Sequence, residues 1–328
     1  MEALRTGGTI MTRSQQTHDV VVSEHRRLAP GVYQLELTPV EEGVLPAVEP
    51  GAHLDVTLPD GLVRQYSLLD DAASGRYRIG VLRERDSRGG SAFLAERALP
   101  GTRLMVSPPR NHFALDETAP RSVLIAGGIG VTPLAAMARR LVERGAGVEM
   151  HYLVRHREQA AFHDELHRLL PEGALHLHVS SETGRADLAQ LMGEASPGRR
   201  IYACGPGALL DALEMLAEGW PEGALRVERF RGETAETATA DACHIELKRS
   251  GHRFTLRAGE RLLDALEREG VAPPSLCREG VCGTCAIPVL AGEIEHRDAL
   301  QSADEKAAND IMYACVSRPV GDTLVLDL

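Results

Sequence analysis

The sequence predicts a multidomain protein of mixed β and α/β class: a small β-barrel, a doubly wound α/β domain, and a C-terminal domain built around a cysteine loop. Three observations carry this. Short alternating strands with turn punctuation fill residues 18–116, strand-like and helix-like stretches alternate through 117–231, and three crowded cysteines in 241–328 are answered by Cys315. A chain of 328 residues is too long for one ordinary core. Each segment is about 90 to 115 residues, a normal domain size. A hydrophobic content of 43% with 25% charged residues is that of a soluble globular protein.

In the first segment, after a polar tail at 1–17, short strands are expected at 19–22, 32–37, 53–58 and 77–82. Pro50-Gly51, Pro59-Asp60-Gly61 and Pro100-Gly101 separate strands as a small barrel requires. One helical stretch, 91–97, follows Gly89-Gly90.

In the second segment Val123-Leu124-Ile125-Ala126 is a continuous apolar run, as a buried parallel strand should be. Helices at 134–144, 161–170, 188–192 and 208–216 alternate with strands at 148–154, 176–179 and 200–203, and a last strand is expected at 227–230. That alternation places a ligand at the carboxyl ends of the strands. Two of those ends carry signals. Gly127-Gly128-Ile129-Gly130-Val131-Thr132-Pro133 is G-x-G-x-x-P, departing from the dinucleotide fingerprint at its third glycine. Gly128 and Gly130 would let phosphate or ribose approach the backbone, with Thr132 as N-cap and Pro133 as first helical residue. A plain glycine turn explains the same residues. Cys204-Gly205-Pro206 follows the strand at 200–203, where a small buried cysteine is the ordinary alternative. Arg155 and Arg157 are the residue type that would meet a 2′-phosphate. His151, His156, His163 and His167 straddle a strand, a loop and a helix and read as solvated surface.

Residues 232–240 hold no large apolar side chain and read as a linker. Beyond it, strands at 243–249 and 252–257 flank Ser250-Gly251, and a helix is expected at 262–269. Then comes Cys277-Arg278-Glu279-Gly280-Val281-Cys282-Gly283-Thr284-Cys285. The spacing C-x4-C-x2-C with a distant fourth cysteine is the plant-type ligand pattern for a [2Fe–2S] cluster. Gly280 and Gly283 let a tight loop turn its amides toward sulfur, and Ser275 and Thr284 offer hydroxyls. Four thiolates could instead hold zinc, although structural zinc sites usually show two separated C-x2-C-like pairs. The segment is predicted as a plant-type ferredoxin of β-grasp architecture.

An electron carrier needs a donor. Arg64-Gln65-Tyr66-Ser67-Leu68, at the end of a predicted strand, supplies a forked cation, an aromatic face and a hydroxyl able to bond a ring nitrogen. A strand with a snorkelling arginine reads the same way. Arg88-Gly89-Gly90-Ser91 adds free amides before a helical stretch, an anion site. Val81 and Leu82, closing the strand at 77–82, complete the flavin candidates. These residues leave FMN and FAD open.

Over nearly its whole length the chain resembles the phthalate dioxygenase reductase family. The matching residues are Arg64 to Leu68, Arg88 to Ser91, Pro109-Arg110-Asn111-His112-Phe113, the Gly127 to Pro133 loop, Cys204-Gly205-Pro206 and the cysteine loop. The resemblance implies FMN rather than FAD, and NADH in preference to NADPH. It implies that Arg64 and Gly89-Gly90-Ser91 hold the FMN phosphate while Tyr66 and Ser67 contact the isoalloxazine. Cys204 would lie close to the hydride path, and Phe230 would cover the flavin ring, although a lone terminal aromatic is as often core. Cys277, Cys282, Cys285 and Cys315 would hold the cluster. Electrons would run from NADH through FMN and the cluster to a Rieske-type aromatic dioxygenase or O-demethylase. Residues 292–298 and 304–310 are similar to segments of vanillate demethylase and phthalate dioxygenase reductases. Supply to a cytochrome P450, or a redox-sensing iron–sulfur flavoprotein without turnover, are the alternatives.

A net charge of −11 argues against nucleic acid and anionic membrane as partners. No apolar run reaches the roughly 18 residues that span a bilayer. The first 17 residues lack the apolar core of a secretory signal, and Met11 is a candidate start. Assigning four of six cysteines to the cluster leaves Cys204 and Cys243, so disulfides are not expected and a reducing cytoplasm is. A monomer is expected.

Overall fold

The computed structural model describes residues 17–41, 43–70, 75–85, 89–230 and 242–328. The tail at 1–16, Arg88 and the linker at 232–240 lie outside them. One compact unit runs to Tyr202 and takes in Trp220–Ala224; the other comprises Ala203–Gly219 and Leu225–Leu328.

Period-two alternation builds the first sheet of the first unit: β1 (His18–Ala29), β2 (Val32–Pro39), β3 (His53–Thr57), β4 (Val63–Ser67), β5 (Tyr77–Leu82), helix α1 (Gly90–Glu96) and β6 (Arg103–Val106). The order is β4-β3-β6-β1-β2-β5, and a bridge between Leu68 and Ile79 ties the two ends, closing a barrel. Inside lie Val20, Leu35, Leu54, Tyr77 and Ile79, each with essentially no exposure. β1 runs further than its apolar start suggests, because pairing from Glu24↔Glu36 to Ala29↔Val32 carries its polar second half past a bulge after Val22. The short β6 has too few alternating residues to stand out in sequence.

The alternating segment follows: β7 (Arg121–Gly127), α2 (Val131–Glu143), β8 (Gly147–Val154), α3 (His163–Leu169), β9 (Leu175–Val179), α4 (Ser180–Thr183), α5 (Leu188–Met192) and β10 (Arg199–Cys204). β7, β8 and β9 pair in parallel, with β10 on the other side of β7. Val123, Leu124, Ile125 and Ala126 are fully buried, which accounts for their unbroken apolar run.

Two expectations change here. A 3-10 turn over Gly128–Gly130 runs straight into α2, so Gly130 is the N-cap; Thr132 lies inside the helix and its hydroxyl donates to Ile129 O at 3.0 Å. His151 is not solvated surface: it is 6% exposed, on β8, with its ring against His176 and His178.

Barrel and nucleotide segment meet closely within this unit. A Cβ on Gly80 of β5 would lie 2.5 Å from Thr132 Cγ2, so only glycine permits that approach. Beside it, Arg78 is paired with Asp70 and with Glu165 at 2.6 Å, and Arg139 reaches Glu165 at 2.9 Å.

The second unit contains α6 (Gly207–Leu216), β11 (Leu225–Glu228), β12 (Cys243–Leu247), β13 (Arg253–Leu256), α7 (Leu262–Arg268), β14 (Ala286–Glu295), α8 (Ala303–Ala308), β15 (Ile311–Tyr313) and β16 (Arg318–Leu326). Its five-stranded sheet runs β13-β12-β16-β14-β15, with β12 and β16 parallel. Leu262, Leu263, Ala265 and Leu266 of α7 pack with Ile245, Leu247, Ile287, Met312 and Leu324 in a core that, among the described residues, comes from 243–328. Pro288 and Gly292 interrupt β14, which hides it from a sequence pattern. β11 ends at Glu228, so Phe230 lies beyond the strand rather than closing it, and is 37% exposed. Among the described residues no helix is long and apolar enough to cross a membrane.

Candidate functional site

The cysteine loop leaves α7, to which Arg278 is fastened by Glu267 and, at 3.5 Å, by Asp264. Arg278, Gly280 and Gly283 all take positive φ, winding the chain tightly. At Gly280 a side chain is excluded, since a Cβ would stand 2.7 Å from Val316 Cγ2 and 3.1 Å from Asp298 Cα. Wound this way, Cys277, Cys282 and Cys285 converge on Cys315, all four at least nine-tenths buried. The Cys277 sulfur is within hydrogen-bonding reach of those of Cys282 and Cys315, and that of Cys285 of Cys315. The Glu279 amide donates to Cys277 Sγ at 3.3 Å. Contacts with Cys282 and Cys315, helped by the Val281 and Glu279 amides, hold the Cys277 thiol below its usual range. The Thr284 hydroxyl reaches Cys282. An all-sulfur donor set with amides turned toward it fits a [2Fe–2S] cluster.

In the first unit, β4 presents Arg64, Gln65, Tyr66 and Ser67. Arg64 lies across Gly90 so closely that a Cβ there would be 2.6 Å from its Cγ. Gly89, at φ 103, turns the chain into α1 beside it. Ser91 accepts from the Glu84 amide at 3.2 Å. Tyr66 is half-buried against the barrel core. Ser67 Oγ is buried without a hydrogen-bond partner among the described residues, which fits a missing ligand atom. Other candidates are occupied differently. The Gln65 amide donates to Asp55 Oδ1 at 3.1 Å, and Val81 points into the barrel core while Leu82 is exposed.

At the carboxyl end of β7, Gly128 takes φ 55 with open space where a Cβ would stand, whereas Gly130 has ordinary helical φ. Thr132 and Pro133 are buried in the first turn of α2. Arg155 is exposed beyond β8, and Arg157 is taken up by Glu182 at 2.7 Å. In the second unit Cys204 is fully buried, Gly205 is half-buried, and Pro206 precedes α6. Burial, then the charge of Glu228, push the Cys204 thiol well above its usual range, so it is no thiolate.

Two residues escaped the sequence reading. Asp55, 4% exposed, gathers Gln65 and, at 2.7 Å, Arg110. Glu228 buries Oε2 without a hydrogen-bond partner among the described residues, and desolvation pushes its carboxyl up to about 8. Each reads in sequence as an ordinary acid in a strand.

Several known proteins are similar to this chain. Residues 245–320 match the 2Fe-2S iron-sulfur cluster binding domain family, and 102–221 match the N-terminal domain of dimethylamine monooxygenase subunit DmmA-like proteins. A reductase subunit of a toluene-4-sulfonate monooxygenase system from Comamonas testosteroni is 41% identical over 94% of this chain and 98% of its own length. The crystal structure of phthalate dioxygenase reductase superimposes with a TM-score of 0.72 at 34% identity, covering 95% of this chain and 98% of that one. The chain belongs to the phthalate dioxygenase reductase family. This reductase is an NADH-dependent oxidoreductase whose cofactors are FMN and a [2Fe–2S] cluster, and it serves an oxygenase system. An intact self-sufficient cytochrome P450 monooxygenase also matches, with a TM-score of 0.82 at 36% identity; the reductase covers 41% of that longer chain.

Proposed function

We propose that the reductase feeds a Rieske-type oxygenase acting on aromatic substrates, by dioxygenation or O-demethylation. The carrying observation is end-to-end similarity to a reductase subunit of an aromatic-sulfonate oxygenase system, joined to four converging sulfurs. It works as a monomer in the cytoplasm. Residues 18–116 form the FMN barrel, 117–231 the NADH domain and 241–328 the ferredoxin, with 232–240 between.

When bound, the cofactors supply hydride acceptance and its division into single electrons. The chain's own residues position and shield. Arg64 offers a forked cation to the FMN phosphate beside Gly89, Gly90 and Ser91. Tyr66 gives its ring face, and Ser67 donates its otherwise unpartnered hydroxyl to the isoalloxazine edge. Gly128 leaves backbone open to the nucleotide, flanked by Gly130, Thr132, Pro133 and Arg155. Cys204-Gly205-Pro206 would line the nicotinamide, beside a Cys204 thiol and a Glu228 carboxyl whose pKa values burial raises. Gln65, Val81 and Leu82 contribute through the backbone of β4 and β5. Orientation rather than proton transfer carries the hydride step.

Reconstitution tests this reading. NADH, the reductase and a purified Rieske oxygenase component with its aromatic substrate should give product matched to NADH consumed. A second reading rests on the P450 match. Coupled turnover with a haem monooxygenase and none with the Rieske component would install it instead.

A further inference from the structure

We propose that Glu149, His151 and His176 form a binding site for a divalent metal ion of the zinc type, on neighbouring strands β8 and β9. The strand register creates it. His151 stands directly opposite His176 in the parallel ladder, and Glu149, two residues back on β8, points to the same face. The two imidazoles stack at 5.0 Å between centroids, tilted by 25°. Both Nε2 atoms then face one oxygen, Glu149 Oε1, at 3.4 Å from His151 and 3.5 Å from His176. With zinc–ligand bonds of about 2.0–2.1 Å, the edge of a tetrahedral site is about 3.4 Å. The three donor atoms lie within 4.8 Å of one another, so a small rotation of one ring closes the triangle. Imidazole and carboxylate together suit zinc and its neighbours rather than calcium or magnesium.

A second layer supports these donors. His151 Nδ1 is 3.2 Å from His178 Nε2, which fixes the ring; with the proton on Nδ1, the Nε2 lone pair faces Glu149. Arg121 donates to Glu149 Oε2 at 2.7 Å, steadying the carboxylate and leaving Oε1 to the histidines. His151 is buried, whereas the His176 side chain is 42% exposed, so a water can take the fourth position from the open side. Arg121 and Arg199 bring positive charge nearby, which weakens the binding of a cation. The ion would staple edge strand β9 to β8. It needs no cysteine, so it does not compete with the ligands of the iron–sulfur site.

Untagged reductase carrying its flavin and cluster should be dialysed against micromolar buffered zinc, then assayed for zinc, iron and flavin together. Wild type should take up about one zinc per chain and melt at a higher temperature in its presence. His176→Ala, a half-exposed position that the fold tolerates, should lose both effects, and Glu149→Gln should bind at least about tenfold more weakly. His178→Ala should weaken zinc with all three ligands in place, because the orienting partner is gone. Iron and flavin should stay at wild-type levels in every variant. Equal zinc in wild type and His176→Ala, or none in wild type at a hundredfold higher zinc, would overturn the site and leave a hydrogen-bonded histidine stack.

Discussion

The cysteine loop and the flavin cradle hold their cofactors by opposite means. In the loop, the donors are turned on one another: four sulfurs converge, and positive-φ residues spend backbone freedom to bring them together. In the cradle, many donors are already engaged. Gln65 is bound to Asp55 and Ser91 accepts from the Glu84 amide, whereas Ser67 Oγ is buried without a partner among the described residues. A covalently ligated cluster is thus defined by side-chain identity. A flavin held by weaker contacts is defined more by the path of the backbone, with few indispensable side chains.

Substitutions can break that contrast, and the largest effect belongs to the loop. Cys282→Ala should drop iron content and cytochrome c reduction to background while flavin-level ferricyanide reduction survives; parallel loss of both would mean the two sites are not separable. Arg64→Ala removes a charge-assisted bond worth about 1.5–3 kcal/mol, so FMN should bind about ten- to a hundredfold more weakly in a fluorescence titration of deflavinated protein. Gly90→Ala should approach that loss without touching charge, because its new Cβ would displace Arg64. Ser67→Ala should cost about 1 kcal/mol, roughly fivefold in FMN affinity; no change would mean its hydroxyl bonds nothing in the holoprotein.

A separate effect, read in stability rather than in cofactor affinity, concerns pH. Below pH 4.5 Glu228 is protonated folded or unfolded; from there to about 8 only the folded state keeps the proton. Its contribution to stability is therefore full below 4.5 and declines as pH rises through that window. Glu228→Gln should flatten this decline in urea unfolding followed across pH, and an unchanged slope would show the carboxyl to be ionised.

The same contrast explains what is legible in the sequence alone. Cysteine spacing is legible because only one residue type can serve, and the apolar run at Val123 to Ala126 is legible because both faces of its strand are covered. Thr132 is not the N-cap because a 3-10 turn over Gly128–Gly130, where Gly128 takes positive φ, starts the helix early. The end of the last strand falls two residues before Phe230, because strand pairing stops at Glu228. Asp55 and His151 do not stand out in sequence as site or core residues, since their burial depends on strands distant in sequence closing over them. Local pattern records a residue's chemistry and says little about what tertiary packing will exclude from water.

The glycine notch at Gly80 bears on how far this protein can be recombined. The ferredoxin sheet fills its core from its own residues, so a graft that exchanges it for another should inherit a folded module. Barrel and nucleotide segment are matched parts: the methyl of Thr132 fills the notch, and Arg78 and Arg139 share Glu165. A chimera joined near residue 116 would bring a foreign helix against that notch and strand those charges. Redesign of cofactor preference is therefore better attempted by residue changes within the pair than by swapping halves.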